Sequence, residues 1–506
     1  MISASKFESL IVCFTALLAL ILVLFSDFLI MPFGGYAGQR FALAVVLGLL
    51  SFVSVVSYAW WWPVNPANAF RAALPTLLLC LAYLLLTLPY RTQPYVWVEP
   101  GMYGLFFLAT FTAGAMLSWR ESGIVYSWML LVIIATCCTF YGLASINVYL
   151  FAALDGVTNL VDFIPWGFVN IRYWSHIATW CLPLMPLAVL VGPLKSNRLW
   201  RCAILLGVGL WWWVLLLTTG RGSALGILFG VVLTVCLLGR LAFPWLKVFL
   251  KYLAAGIVIW LILSVAIPSF MAEGVQVRGV KAGSAGRVAL FSEAWAMSMQ
   301  QFPFGMGPQS WLTHDVLTDA YANNKSFGHP HNMYLLWAAE YGWLLIAALG
   351  LVVVQAIRYF WGTRRQILST QSTEQALLLA GFTASVSAAL FHAGVSAVFI
   401  APGSMLVGTF VLIGFWALII PAPDSIQGKD RRVSALGKRS MAAVILSASV
   451  LTVWFGWMKE VSIYYQDMRQ DEEYYYDQGV GGMLPRFWFH GNFPRGSATE
   501  APAMDR

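Results

Sequence analysis

The 506-residue sequence is short of charge: Asp, Glu, Lys and Arg together make up 10% of it, against about 25% in a soluble domain. No polar stretch is long enough for a large soluble domain with its own core. There is no basic domain and no RNA- or DNA-binding motif, so the net charge of +8 does not point to nucleic acid. Cysteine follows no framework. Cys13, Cys80, Cys137, Cys138, Cys181, Cys202 and Cys236 sit in or beside apolar runs, without ligand-like spacing to His. They read as small hydrophobes, with no disulfide set and no zinc site. No internal repeat is visible, which weakens an inverted-repeat transporter. Nor is a cleavable signal expected. The apolar run after Lys6 is too long for a signal core and no A-x-A site follows, so the expectation is a retained first helix.

What the sequence has instead is hydrophobic length. Apolar residues make up 60% of it, and the mean hydropathy is +0.75. Apolar runs of about 17–25 residues recur, the length that crosses the hydrocarbon of a bilayer. They predict an all-α polytopic membrane protein with about thirteen transmembrane helices. The expected spans are 10–31, 41–62, 72–89, 102–118, 124–142, 174–192, 202–218, 223–239, 252–269, 333–356, 375–396, 404–420 and 441–457. The 24 Trp and 20 Tyr suit the headgroup level of such a protein. With the amino terminus inside, the cytoplasmic loops carry Arg71, Arg120, Lys195, Arg198, Arg201, Arg240, Lys247, Lys251, Arg358, Arg364 and Arg365. Lys429, Arg431, Arg432, Lys438 and Arg439 follow in the last such loop. That alternation is the positive-inside pattern.

The opposite side then receives a loop near 143–173, a turn at 219–222, a long loop at 270–332 and a tail over 458–506. Residues 1–457 form the membrane domain, with 270–332 as a helical loop between spans 9 and 10. Within that loop Arg287–Phe302 repeats apolar residues at helical spacing, namely Val288, Phe291, Trp295, Met299 and Phe302. Pro303 stops the helix, and Trp311–Ala322 can form a second short one. The tail is acidic and aromatic, and too short for a core of its own.

Charges beside spans are costly, so they mark candidate sites. Outward-side Arg residues stand out, because the positive-inside bias depletes them: Arg172, Arg221, Arg278 and Arg287. Arg221 lies between Gly220 and Gly222, where backbone can approach a bound group, and a planar guanidinium suits bidentate contact with phosphate. The bland alternative is a snorkelling or ion-paired Arg. Arg287 opens the loop helix, at an end that already favours anions; an exposed surface charge is the alternative. Arg172, between Asn170 and Tyr173-Trp174, also reads as an interfacial anchor. His329-Pro330-His331-Asn332 stands at the mouth of a span on the same side. Pro330 and Asn332 are turn and cap residues that place His331 at a helix start, and His suits general-base work near neutrality. A metal held by His329 and His331 is the competing reading, with no third ligand nearby. Glu340 lies about 13 Å deeper along the helix, as a partner for an Arg or another polar group. Gly305-Met306-Gly307-Pro308 resembles a phosphate loop only superficially, since no strand precedes it and no Lys follows. His176 and His392 sit at span edges, where nothing in the sequence selects them.

Together, a Gly-Arg-Gly turn before one span and a long outer loop ending in His-Pro-His-Asn resemble the O-antigen ligase-like superfamily. That superfamily holds lipid A-core O-antigen ligases, Wzy-type polymerases and protein O-oligosaccharyltransferases. Its pattern H-[NSQ]-x9-G-x-x-[GTV] is matched by His331-Asn332 and Gly342 and departs at Leu345. Its Ser-Arg-Gly signature appears as Gly220-Arg221-Gly222, without the Ser. Arg287, Trp295 and Phe302-Pro303-Phe304-Gly305-Met306-Gly307-Pro308 are similar to its outer-loop pattern. The resemblance implies a metal-independent, GT-C-like glycosyltransferase in the bacterial inner membrane, with its site facing the periplasm and no cofactor. Its donor would be a glycan on undecaprenyl diphosphate. Arg221, Arg287 and Arg172 would hold the diphosphate, with Arg278, His329, Asn332 and Glu340 as further substrate contacts. His331 would serve the acceptor hydroxyl. The acceptor is a pilin-like Ser or Thr, a lipid A-core sugar or another lipid-linked repeat unit. The thirteenth span and the outward tail lean toward the protein-directed members. A flippase for an anionic lipid-linked substrate is the rival class; it would not need His331 at a loop–span junction.

Overall fold

In the computed structural model the described residues are 4–30, 35–60, 66–93, 95–119, 122–156, 160, 163–168, 171–270, 286–323, 327–421 and 436–477. Among them every regular element is helical. In chain order these are α1 (Ala4–Leu24), α2 (Gly35–Trp60), α3 (Pro66–Thr87), α4 (Val98–Trp119), α5 (Gly123–Leu154), α6 (Ile171–Cys181) and α7 (Arg198–Leu217). Next come α8 (Arg221–Leu238), α9 (Phe243–Trp260), the short α10 (Ile267–Phe270), α11 (Arg287–Gln300), α12 (Asp319–Ala322) and α13 (Met333–Tyr341). The chain then runs through α14 (Trp343–Thr370), α15 (Thr373–Ala393), α16 (Pro402–Ile419) and α17 (Leu436–Asp477). Nine helical stretches among the described residues are long and apolar enough to cross a membrane, besides the shorter Ser9–Leu24. The expectation of an all-α polytopic membrane protein holds.

Several apolar runs are not the single rods their hydropathy predicts. The run 174–192 breaks after Cys181 into turns and a 3-10 segment over Met185–Val189. Pro183 and Pro186 supply no amide hydrogen and block a continuous α-ladder. Such irregular backbone is tolerated at membrane depth only inside protein, and this segment is buried throughout its centre. The run 333–356 breaks at Gly342, which has φ 85° and ψ 174°, a region essentially reserved for glycine. The stretch Arg221–Phe270 breaks at Gly239, φ 56°, into α8 and α9. The run 441–457 lies within α17, which continues without interruption past 457.

Helix α8 packs along α15 through Gly222, Gly226 and Gly230, spaced four apart. A Cβ on Gly226 would lie 2.7 Å from the Ala388 carbonyl oxygen, and one on Gly230 would lie 2.3 Å from that of Ala384. Membrane helices gain little from apolar burial against lipid, so small residues that admit close backbone contact drive association. At the other end of α8, Arg364 Nε donates to the Leu237 carbonyl at 2.8 Å, a cation placed at a helix carboxyl end.

The described part of the outer segment before α13, from 286, is held by polar contacts. Glu293 of α11, fully buried, accepts from the Leu317 N–H at 2.7 Å, from Thr318 Oγ1, and pairs with His314 Nε2 at 2.9 Å. Burial opposes the charge of Glu293, but these hydrogen bonds outweigh it and hold its carboxyl below the usual range. Residues 305–307 close the carboxyl end of α13: the Met306 and Gly307 N–H groups donate to the Ala339 and Glu340 carbonyls, both at 2.9 Å. The glycine-rich stretch thus serves packing, for a Cβ on Gly305 would stand 2.3 Å from the Glu340 backbone. Expected Trp311–Ala322 resolves into a 3-10 turn at Ser310–Leu312 and α12.

Candidate active site

Four helices begin at the same end of the bundle, each with a basic residue at its start. Arg172 is the second residue of α6, Arg221 the first of α8 and Arg287 the first of α11. His331 directly precedes Asn332, the N-cap of α13. The Asn332 side-chain oxygen accepts from the N–H groups of Tyr334 and Leu335 at 3.0 and 3.1 Å, satisfying donors the helix start leaves open. Asn332 therefore fixes the helix that presents His331.

Contacts tie the four starts together. Arg172 Nη1 stands 3.5 Å from His331 Nε2. Ser223 Oγ, in the first turn of α8, donates to the Ser175 carbonyl in the first turn of α6 at 3.2 Å. Arg287 is near enough to Arg172 and Arg221 that burial and both charges lower its pKa. Two non-glycine residues beside the site hold left-handed backbone, Thr219 at φ 48° and His331 at φ 57°. Such conformations cost free energy and cluster where side-chain direction matters.

His331 is 7% exposed. Burial, then Arg172 and Arg287, push its pKa down to about 3. The imidazole is therefore neutral across the physiological range. A guanidinium can only donate, so Nε2 facing Arg172 carries the lone pair and the proton resides on Nδ1. His329 Nδ1 accepts the backbone N–H of His331 at 3.1 Å, with the two rings nearly perpendicular and 4.4 Å apart. His329 thereby holds the strained turn. Among the described residues no three His, Cys, Asp or Glu side chains gather as a metal-binding group.

Glu340 is buried away from these four starts, on α13. Its carboxylate accepts the Trp311 N–H at 3.3 Å, joining the outer segment to the bundle. Arg278 lies outside the described residues. Gly222, expected to let backbone approach a ligand, instead makes room for His392, whose Nε2 would lie 2.9 Å from a Cβ there.

The structure adds residues the sequence reading passed over. Arg40, wholly buried in the first turns of α2, lies over the Tyr36 ring at 4.4 Å. Tyr36 stacks on Tyr173, neighbour of Arg172, at 5.1 Å. Arg40 thus stands at the same end of the bundle as Arg172. Beneath Arg172 and Arg221, His176 bonds Ser396 at 2.8 Å and His392 bonds Thr179 at 3.0 Å, with their rings 4.9 Å apart. Their pairing across distant helices leaves no local sequence signal.

One comparison bears on this arrangement. Residues 206–350 match the O-antigen ligase family. The resemblance to the O-antigen ligase-like superfamily thus holds. The O-antigen ligase match runs from within α7 to the first turns of α14, and so contains Arg221, Arg287 and His331 but neither Arg172 nor Arg40. It supports a ligase-type membrane protein that acts on a lipid-linked glycan and an acceptor. No curated protein matches the chain.

Proposed function

We propose that this protein transfers a glycan from undecaprenyl diphosphate to a hydroxyl acceptor at the periplasmic face of the bacterial inner membrane. The observation that carries the reading is a buried His331 beside Arg172 and Arg287, with the Arg221 helix start next to both of those. Helix amino termini favour anions, and guanidinium forks match phosphate oxygens. Arg172, Arg221 and Arg287, with Arg40 behind them, bind the diphosphate and offset the negative charge it gains on leaving. The acceptor hydroxyl attacks the anomeric carbon, the bond from that carbon to the diphosphate oxygen breaks, and the hydroxyl proton passes to His331 Nε2. Asn332 and His329 orient His331. A flippase has no use for a neutral proton acceptor at this point.

The acceptor we favour is a Ser or Thr of a pilin-like protein; a lipid A-core sugar or a second lipid-linked unit uses the same chemistry. Mass analysis of pilin and lipopolysaccharide from a deletion strain separates them, because the true acceptor loses its glycan. Complementation with His331→Ala should leave that glycan absent while the protein inserts normally. Full glycosylation by the variant would overturn the role given to His331.

A further inference from the structure

Helix α11 reads as amphipathic in sequence, but its buried face is not the apolar stripe that defines it. Leu290, Glu293, Ala294, Met297 and Ser298 face the protein. Of the stripe, Val288, Trp295, Met299 and Phe302 point outward, with exposures of 65, 50, 40 and 63%, and Phe291 is half-buried. Phe304 adds another exposed ring just beyond. Isolated exposed apolar residues are ordinary, whereas a contiguous face of large side chains marks an interaction surface.

Two contacts set the level of this face. The Pro303 carbonyl, between Phe302 and Phe304, accepts the N–H groups of Trp343 and Leu344 at 2.8 and 3.4 Å. Those are the first residues of α14, a membrane-crossing helix. Trp295 meets Trp343 edge to face, with ring centroids 5.5 Å apart. The outward side of α14 then continues as Leu344, Leu351 and Val354, all exposed, the surface a spanning helix turns to lipid. The apolar face of α11 is thus continuous with a lipid-facing surface at the mouth of a span. Trp in such a place matches the preference of indole for the headgroup boundary.

We propose that α11 is an interfacial helix whose Val288–Trp295–Met299–Phe302 face is seated in the bilayer leaflet at the site end of the bundle. Apolar burial of this kind is what holds an amphipathic helix in the interface plane. Seated so, α11 places Arg287, one residue before Val288, at headgroup depth. For the glycan-transfer reading, a membrane-borne diphosphate then meets Arg287 without leaving the interface; that consequence rests on the reading, whereas the seating itself does not.

The test uses the full-length protein in vesicles of phosphatidylethanolamine and phosphatidylglycerol. Trp295 and Phe302 are each replaced by p-benzoylphenylalanine, an aromatic change at an exposed position, and monodispersity confirms folding. On irradiation both positions should yield phospholipid adducts, several-fold above the same label at Asp315 on the outer segment. Adducts to a second copy of the chain, or to residues 271–285 of the same chain, would show that protein covers the face and would overturn the proposal. So would folded protein with no lipid adduct at either position. Glycan transfer is not read in this experiment, so a failure leaves that function standing.

Discussion

At the residue scale the proposed chemistry depends on how charge is arranged around His331. Arg221 opens a helix whose amino end already favours anions, and its fork geometry matters as much as its charge. Arg221→Lys keeps the cation and loses bidentate contact, so it should lower kcat/KM by at least tenfold, with the protein still folded; unchanged kinetics would remove Arg221 from donor binding. The low pKa of His331 has its own signature. Burial, Arg172 and Arg287 all disfavour the imidazolium in the free protein, so its protonation cannot set a limb near the ordinary value of about 6.5. The acid limb of kcat/KM, which reports the free enzyme, should fall below about pH 5. A bound diphosphate adds negative charge, which favours the protonated ring and raises its pKa. The acid limb of kcat should therefore lie at higher pH than that of kcat/KM. Two coincident limbs near 6.5 would contradict this account.

At the element scale, the site depends on rods held at fixed separations. Gly230 allows α8 to approach α15, and a Cβ there collides with the Ala384 carbonyl. Gly230→Val should destabilise the protein by about 1–3 kcal/mol, the usual cost of overpacking, and depress transfer by shifting Arg221. Gly350→Val on the exposed side of α14, where a Cβ meets nothing within 4 Å, should leave the melting temperature and activity unchanged. Equal effects of the two would rule out close packing as the reason for Gly230. Elements set by local chemistry were legible in the sequence: the Asn332 cap and the stop of α11 before Pro303; the turn expected at 219–222 instead gives way to α8 already at Arg221. The outward face of α11 was not, because apolar periodicity reports a buried stripe only when the alternative is water. Beside a bilayer, lipid is a second apolar solvent. The break within 174–192 was signalled by Pro183 and Pro186, but hydropathy over a window averages them away. Arg40 escaped because it stands where an apolar run begins, and the His176–His392 pair because tertiary folding alone brings it together.

At the scale of the whole molecule, charge separates along the bundle axis. Arg172, Arg221, Arg287 and His331 stand at one end. Helix α7 runs from Arg198 to the turn before Arg221, about 30 Å for its length, so Arg198 and Arg201 belong to the other end. Arg240, just past α8, and Arg358, Arg364 and Arg365, late in α14, lie there too. The contact of Arg364 with Leu237 fixes those two helix ends beside each other. In the proposed orientation the basic residues concentrated at one end mark the cytoplasmic side, and the Arg–His site faces the periplasm. Impermeant maleimide on intact spheroplasts tests the orientation. With the exposed native Cys202 and Cys236 changed to Ser, Asp315→Cys should label directly, whereas Ser369→Cys, at the end of α14, should label only after permeabilisation. The reverse pattern would place the site in the cytoplasm, where a periplasmic acceptor could not reach it, and the proposed reaction would fail with it.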